Sequence, residues 1–118
     1  MTLEEFFKDH ADSRRLFKAV RKAIEAIGGA EMRVTKSQVA FRRRTGFAFV
    51  WIPGKYLKQR DVPLVLTVGL RRRDDSPRWK EVVEPARGRF THHLELRSIA
   101  EINEEVIDWL KEAWEEAG

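Results

Sequence analysis

The stretch Gln38-Val39-Ala40-Phe41-Arg42-Arg43-Arg44-Thr45-Gly46-Phe47-Ala48-Phe49-Val50-Trp51-Ile52 decides the fold. Two β-rich runs, Gln38 to Arg44 and Phe47 to Ile52, flank Thr45-Gly46. Branched and aromatic residues on either side of a short glycine-bearing turn read as a hairpin. Upstream, Met32 to Thr35 is another β-rich run. Downstream, Pro53-Gly54 marks a turn, a looser stretch runs through Tyr56, and Leu64 to Leu70 is the most apolar strand. Arg71 to Pro77 reads as polar loop, Trp79 to Glu84 as a strand, Pro85 to Arg89 as a turn and Phe90 to Arg97 as the final strand. Parallel crossovers need a dozen or more residues, so turns this short predict a mainly antiparallel sheet.

Helices bracket these strands. Thr2 with Glu5 forms a capping box over a short helix, and Asp12 or Ser13 is placed to cap a longer one. There Leu16, Phe17, Val20, Ala23, Ile24 and Ile27 recur at helical spacing, opposite Arg14, Arg15, Lys18, Arg21 and Lys22. Gly28-Gly29 ends that helix. Ser98 with Glu101 forms a second box, predicting a helix that runs almost to the end, apolar at Ile102, Val106, Trp109, Leu110 and Ala113 and acidic opposite. The expected architecture is α+β, one domain over residues 1–118. It is a mainly antiparallel five-stranded meander sheet with N-terminal helices and a long C-terminal helix packed on one face.

A chain of 118 residues, 42% apolar and 36% charged, holds one core and gives no case for disorder. It has no cysteine, which excludes disulfides, thiolate metal sites and a thiol nucleophile and suits a reducing cytoplasm. Glu4 and Glu5 stand where a signal peptide needs positive charge, so a cytoplasmic location is expected. The longest uncharged stretch, Thr45 to Gly54, falls well short of the roughly 20 apolar residues of a membrane helix, and no membrane partner is expected. Net charge is +4 but uneven: −3 over residues 1–12, +13 over 13–97 and −6 over 98–118. A local potential of that kind bears on partners.

At Val34-Thr35-Lys36-Ser37-Gln38-Val39-Ala40-Phe41-Arg42, Arg78-Trp79-Lys80-Glu81-Val82-Val83-Glu84-Pro85 and His92-His93-Leu94-Glu95-Leu96, the chain resembles a family of short bacterial proteins known only as a domain of unknown function. The resemblance covers nearly the whole chain and implies a fold and a bacterial cytoplasmic setting, with no activity. More distantly, a leading helix, a strand ending in Ala-Phe-Arg, a meander and a closing helix are similar to the YdhG-like proteins, some of them described as iron chaperones. That likeness is architectural, because the acids of the last helix are dispersed along its length as on a solvated face.

Strand alternation sends His92 and His93 to opposite faces, so they cannot ligate one metal together. His92 belongs with Leu94 and Leu96 on the core face. His93 shares the other with Glu95, as half of a metal site or an acid–base pair, but spacing completes no site and no metal or cofactor is expected. Arginine triplets at 42–44 and 71–73 either keep strand ends soluble or bind anions in the bidentate fork that lysine lacks. Gln38, Arg42 and Arg44 share a face of their strand. Lys36 sits in a turn whose amides could hold an anion, although no P-loop glycines are present. Arg78 and Lys80 flank Trp79, which is either core or a stacking platform; Trp51 has the same two readings, core being the commoner place for a strand aromatic. The candidate ligand-binding set is therefore Lys36, Gln38, Arg42, Arg44, Arg78, Trp79, His93 and Glu95.

Three readings follow. The leading one is a noncatalytic binding domain for an anionic partner, nucleic acid or a phosphorylated small molecule. The second is a small hydrolase or transferase using His93 and Glu95. The third is a protein-interaction module or homodimer through Trp79, Tyr56 or the acidic helix, so that a monomer and a homodimer are both open. No nucleophile elbow, dinucleotide fingerprint or His-Glu-x-x-His motif supports the second.

Overall fold

Cross-strand register assigns the paired strand residues to one of two faces. In the computed structural model, which describes residues 1–56 and 61–118, the order is α1 (Leu3–Phe6), α2 (Ala11–Ile27), β1 (Glu31–Val34), β2 (Val39–Arg42), β3 (Gly46–Trp51), β4 (Leu64–Leu70), β5 (Glu81–Ala86), β6 (Arg89–Leu96) and α3 (Glu104–Glu116). Opposed residues such as Phe41 and Ala48, Val50 and Leu66, and Leu66 and Leu94 join the buried core. Leu16, Val20, Val106 and Leu110 of the helices belong to that same core, and α2 and α3 contact each other and β4. Alternation leaves Ala40, Phe49, Trp51, Val65, Thr67, His93, Glu95 and Glu81 on the opposite, helix-free face.

Among the described residues the sheet is antiparallel throughout, but it has six strands rather than five and is not a simple meander. Its order is β1-β2-β3-β4-β6-β5, so β6 lies beside β4 and β5 takes the edge. Two features place β5 there. Pro85 cannot donate to a ladder, which confines it to an edge or an irregularity, and the β5–β6 register shifts between Val83 and Ala86. The connection from β4 to β5 also folds back over β6. Asp74 N–H donates to His92 Nε2 at 2.9 Å, and the Trp79 ring lies 4.9 Å from His92 and 4.1 Å from Trp109.

Helix ends follow local chemistry with two departures from expectation. Thr2 and Glu5 make the expected box on α1. On α2 the N-cap is His10 without a side-chain bond, because Ser13 Oγ donates instead to Pro63 O at 2.6 Å. The Ser98–Glu101 box forms, but it opens a 3₁₀ turn over Ile99–Glu101. The α-helix begins later because Asn103 is a second N-cap, accepting from Val106 N–H at 3.2 Å. The strand expected from Trp79 begins at Glu81 and runs through Pro85 to Ala86, closing on a turn with Gly88 at φ 75°.

The end of α2 rests on α3 through a layered contact. Trp114 donates its indole N–H to Gly29 O at 2.8 Å, and the Arg43 guanidinium lies 3.6 Å from its ring. Gly28 also packs on this ring, where a Cβ would overlap Trp114. Gly28→Ala must therefore displace the indole. We expect a stability loss of about 1–3 kcal/mol, read from urea midpoints, the range of overpacked cores.

Candidate functional site

In an antiparallel sheet, alternate strands end at the same rim. The C-terminal ends of β2, β4 and β5 and the N-terminal ends of β3 and β6 meet at one end here. The chain places Arg42, Arg43 and Arg44 in the first turn of that rim, Arg71, Arg72 and Arg73 after β4, and Arg87 and Arg89 around the β5–β6 turn. The C-terminal end of α3 reaches the same rim, where Ala117 O accepts from Arg44 N–H at 2.9 Å and Thr45 N–H at 3.2 Å.

These arginines divide by what they touch. Arg72 forks onto Glu112 at 2.8 and 3.0 Å and reaches Asp74 at 2.9 Å. Arg43 stacks on Trp114, and Arg42 donates to Arg44 O at 3.3 Å. Arg44, Arg71 and Arg89 line a cleft of about 420 Å³, floored by Phe49, Gly69 and Thr91. Arg71 spends one nitrogen on Glu116 O at 2.8 Å, and its own N–H holds the Glu116 carboxylate at 2.9 Å. Among the described residues the Arg44 and Arg89 side chains make neither a hydrogen bond nor an ion pair.

A second pocket, of about 250 Å³, opens on the helix-free face between Trp51, Val65, Lys80, Glu81, His93 and Glu95. Thr67 Oγ1 lies 2.7 Å from His93 Nδ1 and accepts from Trp51 Nε1–H at 3.3 Å. Burial pushes the His93 pKa down, against the pull of Glu81. Glu95 pairs with Arg97 at 3.4 Å. Among the described residues no group of three His, Cys, Asp or Glu side chains is arranged to hold a metal.

A family model for a domain of unknown function, DUF5655, matches residues 3–117. The chain belongs to the DUF5655 family. No curated protein and no solved structure matches it. No described helix of this DUF5655 chain is long and apolar enough to cross a membrane.

The eight candidate residues disperse over the DUF5655 fold. His93 and Glu95 share the second pocket, and Arg44 lines the arginine cleft. Lys36 lies between β1 and β2, its carbonyl accepting from Tyr56 OH at 3.1 Å. Gln38 precedes β2, and Arg42 ends it. Arg78 donates to Glu105 at 2.9 Å, Asn103 at 3.0 Å and Glu101 O at 2.8 Å, holding the β4–β5 connection against the start of α3. Trp79 is only 8% exposed, with its indole N–H on Asp74 at 2.8 Å, so it presents no free ring face. Arg71, Arg89, Thr91 and Trp51 are lining residues outside the expected set. Strand parity was the available signal for the first three, since it brings alternate strand ends to one rim. Lys58 and Arg60, part of the positive count, lie outside the described residues.

His92 is fully buried, and its partners determine its tautomer. Nε2 accepts from Asp74 N–H, so the proton sits on Nδ1 and points to Val68 O at 3.2 Å. Burial is the main cause that pushes its pKa below the ordinary 6.5, outweighing Val68 O and Asp74. The unfolded chain therefore takes up the proton more readily than the folded one. This contribution to stability is complete above about pH 6.5 and is lost as pH falls toward the folded pKa, at up to about 1.4 kcal/mol per pH unit per proton. Urea midpoints should fall between about pH 7.5 and about pH 5, and the fall should shrink in His92→Gln.

Proposed function

We propose that this DUF5655 chain is a noncatalytic binding domain whose arginine cleft takes an anionic partner, nucleic acid or a phosphorylated small molecule, in a bacterial cytoplasm. The observation that carries this reading is the convergence of Arg44, Arg71 and Arg89 on one cleft. Guanidinium groups recognise phosphate oxygens in a fork, and their charge does not titrate in the physiological range. Internal pairing accounts for part of the positive middle segment, because Arg72 and Arg78 are taken by Glu112 and Glu105 of α3. Arg44 and Arg89 remain to meet a ligand. A volume of about 420 Å³ falls within the roughly 300–1,000 Å³ of small-molecule sites, which favours a phosphorylated metabolite over a long nucleic acid.

The test is fluorescence anisotropy with labelled single-stranded DNA, RNA and nucleotides over a salt series. Three phosphate contacts on a single strand give a log–log salt slope of about −2, a loss of about twentyfold between about 50 and 200 mM salt. Absence of binding at low salt, or binding indifferent to salt, rejects the reading. A hydrolase built on His93 and Glu95, with Lys36, Arg42 or Arg78 to hold an anion, has less support, because none of those three lines the pocket that His93 and Glu95 share.

A further inference from the structure

The pocket on the helix-free face contains a donor whose orientation can be deduced. Trp51 Nε1–H can only donate, and it gives to Thr67 Oγ1. Thr67 is 5% exposed, so its own hydroxyl proton needs an acceptor, and His93 Nδ1 at 2.7 Å is that acceptor. The neutral His93 ring then carries its proton on Nε2. Among the described residues Nε2 makes no hydrogen bond, and no buried side-chain nitrogen or oxygen lacks a partner. Nε2–H is therefore solvent-accessible, and the cavity His93 lines is the pocket. With no lone pair there, His93 is a donor and not a resting general base.

Register places the rest of the recognition surface around that donor. Glu81 stands directly across from His93, and Glu95 lies two residues along the same strand on the same face. Val65, opposite Glu95, and Trp51, opposite Val65, form an apolar wall. Lys80 also lines the pocket and Arg97 pairs with Glu95, so its wall carries both signs. An anion alone would meet the two carboxylates. The ammonium of a zwitterion between Glu81 and Glu95 is matched in charge and can lie against the Trp51 face, leaving Lys80 and the His93 proton to an anionic group. An acceptor beside that ammonium can take the His93 proton. The volume, about 250 Å³, is below that of drug-sized pockets.

We propose that this pocket binds a free α-amino acid, with its ammonium group between Glu81 and Glu95, its carboxylate on His93 Nε2–H and its side chain against Trp51. The site is separate from the arginine cleft and does not depend on it. The probes are the twenty free L-amino acids, added singly to about 10 mM by calorimetry, a limit that captures millimolar affinities. At least one should bind with saturable 1:1 stoichiometry. Its N-acetyl derivative and its decarboxylated amine should each bind at least tenfold more weakly, as should Glu81→Gln and His93→Phe. Arg44→Ala should leave binding unchanged. Nitrogen-15 spectra of the ring should show His93 protonated at Nε2 alone, a readout that needs no ligand. The proposal is overturned if no amino acid binds, if N-acetylation or Glu81→Gln leaves affinity intact, or if the resting ring proton lies on Nδ1.

Discussion

Trp79→Ala should destabilise the fold by about 3–5 kcal/mol, the cost of emptying a buried tryptophan site. The side chain is 8% exposed, lies 4.1 Å from Trp109 and 4.9 Å from His92, and gives its indole proton to Asp74 at 2.8 Å. It pins the β4–β5 connection across β6, so its loss frees that connection from His92 and Trp109. Asp74 is the polar counterpart. Burial alone would raise its pKa, but hydrogen bonds from Trp79, Ser76 and Arg72 outweigh it and hold the carboxyl below its ordinary value. Trp79→Phe keeps most of the apolar area and removes one hydrogen bond to a charged group, and should cost about 1.5–3 kcal/mol. Urea unfolding measures both. A stacking role predicts the opposite pattern, with stability near wild type and affinity for an aromatic ligand lost.

The second large effect concerns binding. Arg44→Ala with Arg89→Ala should leave stability within about 0.5 kcal/mol of wild type, because neither side chain pairs within the described fold. Each hydrogen bond to a charged group contributes about 1.5–3 kcal/mol, so losing two weakens phosphate binding by at least about a hundredfold. The log–log salt slope should become shallower by about 1.4. Arg72→Ala supplies the contrast. Arg72 lies at the same rim but is locked on Glu112 and Asp74. Its removal should lower stability by on the order of 1 kcal/mol, since the pair is half-exposed, and should leave affinity nearly unchanged.

That contrast also marks what the sequence reveals. The members of Arg42 to Arg44 and of Arg71 to Arg73 look alike in the chain, and only tertiary partners separate those that line the cleft, such as Arg44, from those that are locked, such as Arg72. Arg72 meets a glutamate 40 residues away, and Arg78 one 27 residues away. Period-based features are legible because they are local. The amphipathic faces of α2 and α3, the capping box at Thr2 and the opposite faces of His92 and His93 all follow from spacing. The start of α3 is not legible in the same way, since Ser98 and Asn103 are both sound caps, and it is the structure that gives the first to a 3₁₀ turn and the second to the α-helix. Strand order is least legible of all. A run of ten residues can turn back beside β4 or cross over β6, and the choice rests on Asp74, Trp79 and His92 meeting in the core. The Nε2–H of His93 is likewise invisible until Thr67 and Trp51 are placed beside it.

The most direct test of the arginine cleft is a nitrogen-15 amide titration of the whole chain with inorganic pyrophosphate at low salt. Shift changes should be confined to Arg44, Gly46, Gly69, Arg71, Arg89 and Thr91, and should vanish as salt is raised. Changes spread along the basic face of α2 at Arg14, Lys18 and Lys22, or no changes at all, would contradict the account.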